Sequence, residues 1–263
     1  MNTLLDIFAF VGTGWMRTII LALLLWGLWA GLRRAGLDRM ERLVTWFGVA
    51  VPLLIWLFVV LELAQAGLFR PGAIAPIPAL PLAALLPVLL ALPALVRSKN
   101  VAAALDAVPP SWLIGLQVYR VLGAVFLVRW AAGQIPGEFA LPAGTGDVLV
   151  GLLALPVAFY VHSRARGSRA AGYAWNLLGI LDLALALTMG ALTSPSPIQM
   201  LAFDHPNTGV GTYPLVMIPA FAVPLSLILH GLSLWQLHRA GRGARTSGHT
   251  PPSASASRGF SAL

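Results

Sequence analysis

The 263-residue chain contains no cysteine, which removes disulfides, thiol catalysis and Cys-ligated metals or iron–sulfur clusters. It is also poor in charge. Only 10% of residues are Asp, Glu, Lys or Arg, against about 25% in soluble domains, while 58% are hydrophobic. Lysine is almost missing: Lys99 stands alone among seventeen basic residues, a bias that reads as bacterial base composition. A retinal Schiff base needs a lysine late in a helical bundle, so the single lysine in a loop excludes that chemistry. No alternation of polar and apolar residues runs through the apolar stretches, which argues against a membrane β-barrel.

What is present is a series of apolar runs near twenty residues long, the length an α-helix needs to cross a bilayer. Seven spans are expected, approximately at 15–32, 43–67, 79–96, 111–131, 140–162, 171–193 and 214–237. Residues 3–11 read as a separate interfacial helix ahead of the first span. The fold class is therefore an all-α integral membrane bundle in one domain, residues 1–238. A polar, basic tail rich in Ser, Gly and Pro follows at 239–263 and reads as disordered. The apolar run at 19–32 ends in Arg33-Arg34 without a small-residue cleavage site, so no signal peptide is expected.

The net charge of +8 does not point to nucleic acid, because the arginines sit in short clusters between apolar runs. Thirteen basic residues fall in the loops after spans 1, 3 and 5 and in the tail, and two, Arg17 and Arg70, on the opposite side. Positive charge is retained on the cytoplasmic face, which puts the N-terminus outside and the C-terminus inside a bacterial inner membrane. Seven of the nine tryptophans, Trp175 among them, fall near span ends, the level at which indole rings meet headgroups. Pro81, Pro87, Pro93, Pro156, Pro219 and Pro224 lie within spans and predict kinks.

The run Ser111–Trp130, SWLIGLQVYRVLGAVFLVRW, carries Arg120 near its middle. Insertion of Arg at that depth costs roughly 2.5–3.5 kcal/mol, so it needs a partner or a wet cavity. Depth counting selects Asp182 and Asn176 on the sixth span and His230 on the seventh, with Gln117 one turn from Arg120. A second, outer polar group is expected from Glu62, Arg129 and Asp147. Asp147 continues into Gly151, Ala154 and Ala158, a stripe that lets a neighbouring helix come close. Bis-histidine haem and metal-dependent hydrolysis each need more deep ligands than one His and one Asp supply, so no cofactor or metal is expected. The loop SPSPIQMLAFDHPNTGVGTYP is longer than a connector requires and reads as a cap or binding loop, with Asp204 and His205 at its tip.

The segments PSWLIGLQVYRVLGAVFL, LPAGTGDVLVG and AWNLLGILDL resemble a group of uncharacterised bacterial multi-pass membrane proteins. The resemblance covers approximately the C-terminal 150 residues, implies an inner-membrane location and supplies no activity. Two functions from different classes remain. In the first, a non-enzymatic protein moves a small solute or proton through Arg120, Asp182 and His230. Arg120 would hold an anionic group, Asp182 would exchange a proton, and His230 would relay it. In the second, a membrane scaffold or sensor uses the same charges only to fix helix register. An intramembrane enzyme is the third and least supported reading.

Overall fold

The computed structural model describes residues 2–74 and 79–247, and among these the chain is helical without strands. The first helix, α1 (Asn2–Arg34), is continuous, so residues 3–11 extend it instead of forming a separate interfacial helix. α2 (Arg39–Gln65) starts at a capping box: the Asp38 carboxylate accepts from the Glu41 backbone N–H at 2.7 Å, and Glu41 accepts from that of Asp38 at 3.1 Å. The Trp46 indole donates to Leu25 O at 3.0 Å and ties α2 to α1. α3 (Ala79–Arg97) is followed by α4 (Lys99–Asp106), a short amphipathic helix capped by Ser98, where the apolar runs predict only a loop. Its Val101, Ala102, Ala104 and Leu105 are buried, and Gly31 of α1 meets the Ala104 backbone closely.

The expected fourth span is not one helix. It is built of α5 (Ser111–Leu116), a 3₁₀ segment (Gln117–Gly123) and α6 (Ala124–Ala131). α7 (Gly137–His162) and α8 (Ser168–Thr193) form an antiparallel hairpin packed on this broken rod. The last span begins with a π-helical segment (Ile218–Ala222) and continues as α9 (Val223–Ser247). Helix therefore runs past the expected boundary at residue 238, and residues 248–263 of the tail lie outside the described residues.

Six helical rods are long and apolar enough to cross a membrane among the described residues: α2, α3, the α5–α6 rod, α7, α8 and α9. Large apolar side chains cover their outer faces. Phe58 of α2, Leu89 of α3, Phe159 of α7 and Leu181 of α8 are each more than 60% exposed. An apolar belt of that extent is what lipid contact requires and what water would penalise. α9 is the most enclosed rod, 61% buried over its apolar window against 11% for α2 and α3, and packs at the centre. Trp175 departs from the expected interfacial belt. It is buried, its Nε1 donates to Val150 O at 3.1 Å, and its ring centroid lies 5.0 Å from that of His230.

The loop between α8 and the π segment is anchored by buried Asn207. Its backbone N–H donates to Thr193 O at 2.9 Å and its side chain to Thr193 Oγ1 at 3.3 Å. Val210 and Leu215 then pack against Phe126, Ile135 and Phe139. Asp204 and His205 are exposed and share no hydrogen bond, so this part of the loop is turn structure.

Candidate functional site

The site grows from the 3₁₀ segment. Three residues per turn stack i and i+3 in line, so Gln117, Arg120 and Gly123 share one edge. Arg120 and Gly123 on this edge meet Asp147 of α7, and three α7/α8 glycines let the backbones close up around them. A side chain at Gly151 would meet the Val121 backbone N at 2.5 Å and the Arg120 carbonyl carbon at 3.0 Å. One at Gly146 would run into the Asp182 carboxylate, and one at Gly179 into His230. The small-residue stripe on α7 is thus used: Gly151, Ala154 and Ala158 are all buried.

Arg120, itself 3% exposed, spends its whole fork inside the protein. Its Nε donates to Asp147 Oδ1 at 2.8 Å, and its Nη2 donates to Asp182 Oδ2. Its Nη1 donates to Gly179 O at 3.3 Å and to His230 Nε2 at 3.1 Å. The second shell fixes the imidazole. Asn176 donates through Nδ2 to Gly172 O at 2.8 Å and to Ser233 Oγ at 3.0 Å, leaving its oxygen to accept from His230 Nδ1 at 2.9 Å. With Nδ1 as donor, Nε2 is the acceptor that Arg120 needs, so the network specifies one neutral tautomer.

Asp182, His230 and Asn176 come together as expected from the sequence. Gln117 does not join them. Its Nε2 donates to Ser226 O at 3.3 Å, beside the Tyr119 hydroxyl, which bonds Ser226 Oγ and Ala222 O. Gln117 therefore ties the 3₁₀ segment to the start of α9. The outer group is the larger correction. Asp147 pairs with Arg120 and not with Arg129, whose Nη1 donates to Gln134 Oε1 at 2.8 Å, and Glu62 is exposed on α2. Counted from the loop that joins α7 to α8, Asp147 lies fifteen residues back from His162 and Asp182 fourteen on from Ser168. The hairpin holds the two acids level, and Arg120 is set between them.

One guanidinium thus faces two carboxylates, and a formal charge of −1 remains when both are ionised. A proton or a monovalent cation balances it. Among the described residues no three His or carboxylate side chains are placed to hold a metal ion, and the point at which Asp147, Asp182 and His230 converge is filled by Arg120.

Beside the cluster lies a cavity of about 80 Å³. Arg120 and Asp147 form part of its wall, with Tyr119, Ser226 and the π-segment residues Ile218 and Phe221 around it. Arg17 of α1 also lines it, a residue that in the sequence reads only as one of two basic residues opposite the basic clusters. Both helix irregularities therefore border the same cavity. Mid-helix 3₁₀ and π geometry recurs at functional sites because it frees backbone groups and re-aims side chains.

Residues 77–238 match the family model described as "Domain of unknown function (DUF8737)". The chain belongs to the DUF8737 family. No curated protein and no solved structure matches it. The DUF8737 segment runs from the start of α3 into α9 and holds every member of the Arg120 network. α1, α2 and Arg17 lie outside it, so the cavity joins the DUF8737 helices to a helix that precedes them.

Proposed function

We propose that the chain is a seven-span bacterial inner-membrane protein, N-terminus outside and C-terminus cytoplasmic, that passes a proton or small solute through the Arg120 region. α1 supplies the first span over approximately 15–32. The observation that carries the reading is the sharing of one buried guanidinium by two carboxylates, one of which, Asp147, stands on the wall of a cavity. An ion pair that only fixed register would need one acid. The second acid gives the cluster a charge state that a single proton changes, which is the usual material of intramembrane proton exchange. The 3₁₀ and π segments support it by placing two adjustable backbone stretches on the wall of the cavity that Asp147 also lines.

The opposing reading, a scaffold or sensor with a purely structural network, draws support from how completely the Arg120 fork is bonded. Proteoliposomes separate the two. With an imposed pH gradient and an enclosed pH dye, the wild type should dissipate the gradient, and Asp182→Asn should slow it at least about tenfold while keeping its fold. Rates equal to those of protein-free liposomes would leave the scaffold reading in place.

Orientation is checked by cysteine labelling, free of background because the chain has none. Ser168 is buried, so exposed Ala165 in the α7–α8 loop and exposed Ser196 in the following loop are the positions to use. An impermeant maleimide on intact cells should modify Ser196→Cys and spare Ala165→Cys. The reverse pattern would invert the topology.

A further inference from the structure

The Arg120 fork is occupied, because Nε, Nη1 and Nη2 all donate within the network. An incoming anion would have to displace Asp147 or Asp182 to reach it. The anion-holding role that the sequence assigns to Arg120 therefore needs another cation, and the cavity has one. Its charged wall residues are Arg17, Arg120 and Asp147; the last two bind each other, and Arg17 has no ion pair among the described residues. With one proton held by the Asp147 and Asp182 pair, the Arg120 cluster is neutral and the charge presented to a ligand is the single positive unit of Arg17.

Apart from Tyr119 and Ser226, the rest of the wall is apolar, with Ile20 of α1, Leu183 of α8, and Met217, Ile218 and Phe221 at the start of the last span. A mostly apolar pocket with a few placed polar groups is the form that small-molecule sites take. Its size sets a second limit. At 10–15 Å³ for each water centre, about 80 Å³ holds roughly five to eight waters, or a ligand of about that many heavy atoms. A phosphate dianion would leave one charge without a partner, and an inorganic ion would leave the apolar wall uncovered. A carboxylate matches the planar guanidinium fork and brings a hydrocarbon body.

We propose that this cavity binds a short-chain monocarboxylate of about the size of hexanoate, its head on Arg17 and its tail along the π segment. The proposal deepens the transport reading by naming the solute class. Arg17 lies outside the DUF8737 segment, so the ligand contact comes from the chain that precedes the family domain. Asp147 is part of the same wall and shares Arg120 with Asp182, so a monoanion at Arg17 and one proton on this pair of acids can be carried together without net charge.

The test is calorimetric titration of the full chain in neutral detergent with hexanoate, hexanamide, inorganic phosphate and, in mixed micelles, an anionic phospholipid. Hexanoate should bind, and hexanamide should bind at least about tenfold more weakly, since it lacks the charge-assisted bonds. Arg17→Gln should weaken hexanoate by a similar factor with an unchanged Tm, and Arg17→Lys should recover part of it. Ala222→Leu, which fills the cavity from the π segment, should abolish hexanoate binding without touching Arg17.

Equal binding of hexanoate and hexanamide would overturn the assignment, as would full hexanoate affinity in Arg17→Gln. Binding of phosphate or phospholipid in place of hexanoate would overturn the ligand class. Arg17-dependent hexanoate binding without any flux would end the transport reading and leave this site standing. Flux indifferent to Arg17→Gln would do the opposite.

Discussion

Replacing Arg120 with leucine is expected to cost about 3–5 kcal/mol of stability, the usual consequence of stranding the partners of a buried ion pair. The loss is large because three side chains lose a partner at once. Asp147 and Asp182 would face each other without a counter-charge, and His230 Nε2 would lose its donor. Arg120→Lys should recover little of it, since one ammonium cannot present the separate Nε, Nη1 and Nη2 donors that reach α7, α8 and α9. The combination Arg120→Leu with Asp182→Asn should cost less than the sum of the single changes, because residues within one network couple. Thermal unfolding in detergent, followed by tryptophan fluorescence, reads the wild type, the three single variants and the double. Additive losses would mean that Arg120 and Asp182 do not interact in the folded state.

Gly151→Ala is expected to cost about 1–3 kcal/mol, the range for forcing extra volume into a packed interior. The new methyl would meet backbone atoms of Arg120 and Val121, which cannot rotate away as a side-chain tip can. α7 must then move back from the 3₁₀ segment and carry Asp147 away from Arg120. Gly115→Ala is the control. A methyl there would meet only Ala158 Cβ at 3.7 Å and Leu155 Cδ2 at 3.9 Å, ordinary contact distances. Relieved of a helical glycine, that variant should be neutral or gain up to about 1 kcal/mol. Equal Tm values for the two variants would mean that α7 does not approach the segment as closely as described here.

The helices were legible because apolar runs of this length have few other folds open to them. Arg120, Asp182, His230 and Asn176 were legible for a related reason: a charge in the middle of such a run needs partners at its own depth, and few polar residues are available there. Asp147 was misplaced because its depth was counted from the outer end of its span and that of Asp182 from the inner end. The 3₁₀ segment adds to the difference. At 2.0 Å per residue against 1.5 Å, its first four residues carry Arg120 about 2 Å further toward the α6 end of the rod than an α-helix would.

No sequence signal marks that break. The prolines predict disturbance in spans 3, 5 and 7, and the π segment does contain Pro219 and ends two residues before Pro224, yet residues 111–131 contain no proline at all. The segment lies against α7 at Gly151, a tertiary contact that no single run of residues announces. The role of Arg17 is hidden in the same way, since a cavity between α1, α8 and the last span is a property of packing and not of any one helix.

The central claim is that the two acids around Arg120 bind an exchangeable proton. Infrared titration of the reconstituted protein measures it directly, through the carbonyl stretch of a protonated carboxyl group. The account predicts a carboxyl band that comes and goes reversibly with pH in the folded wild type and is altered or lost in Asp147→Asn and Asp182→Asn. A folded protein that shows no such band at any pH would contradict it, and the cluster would then be a fixed ion network.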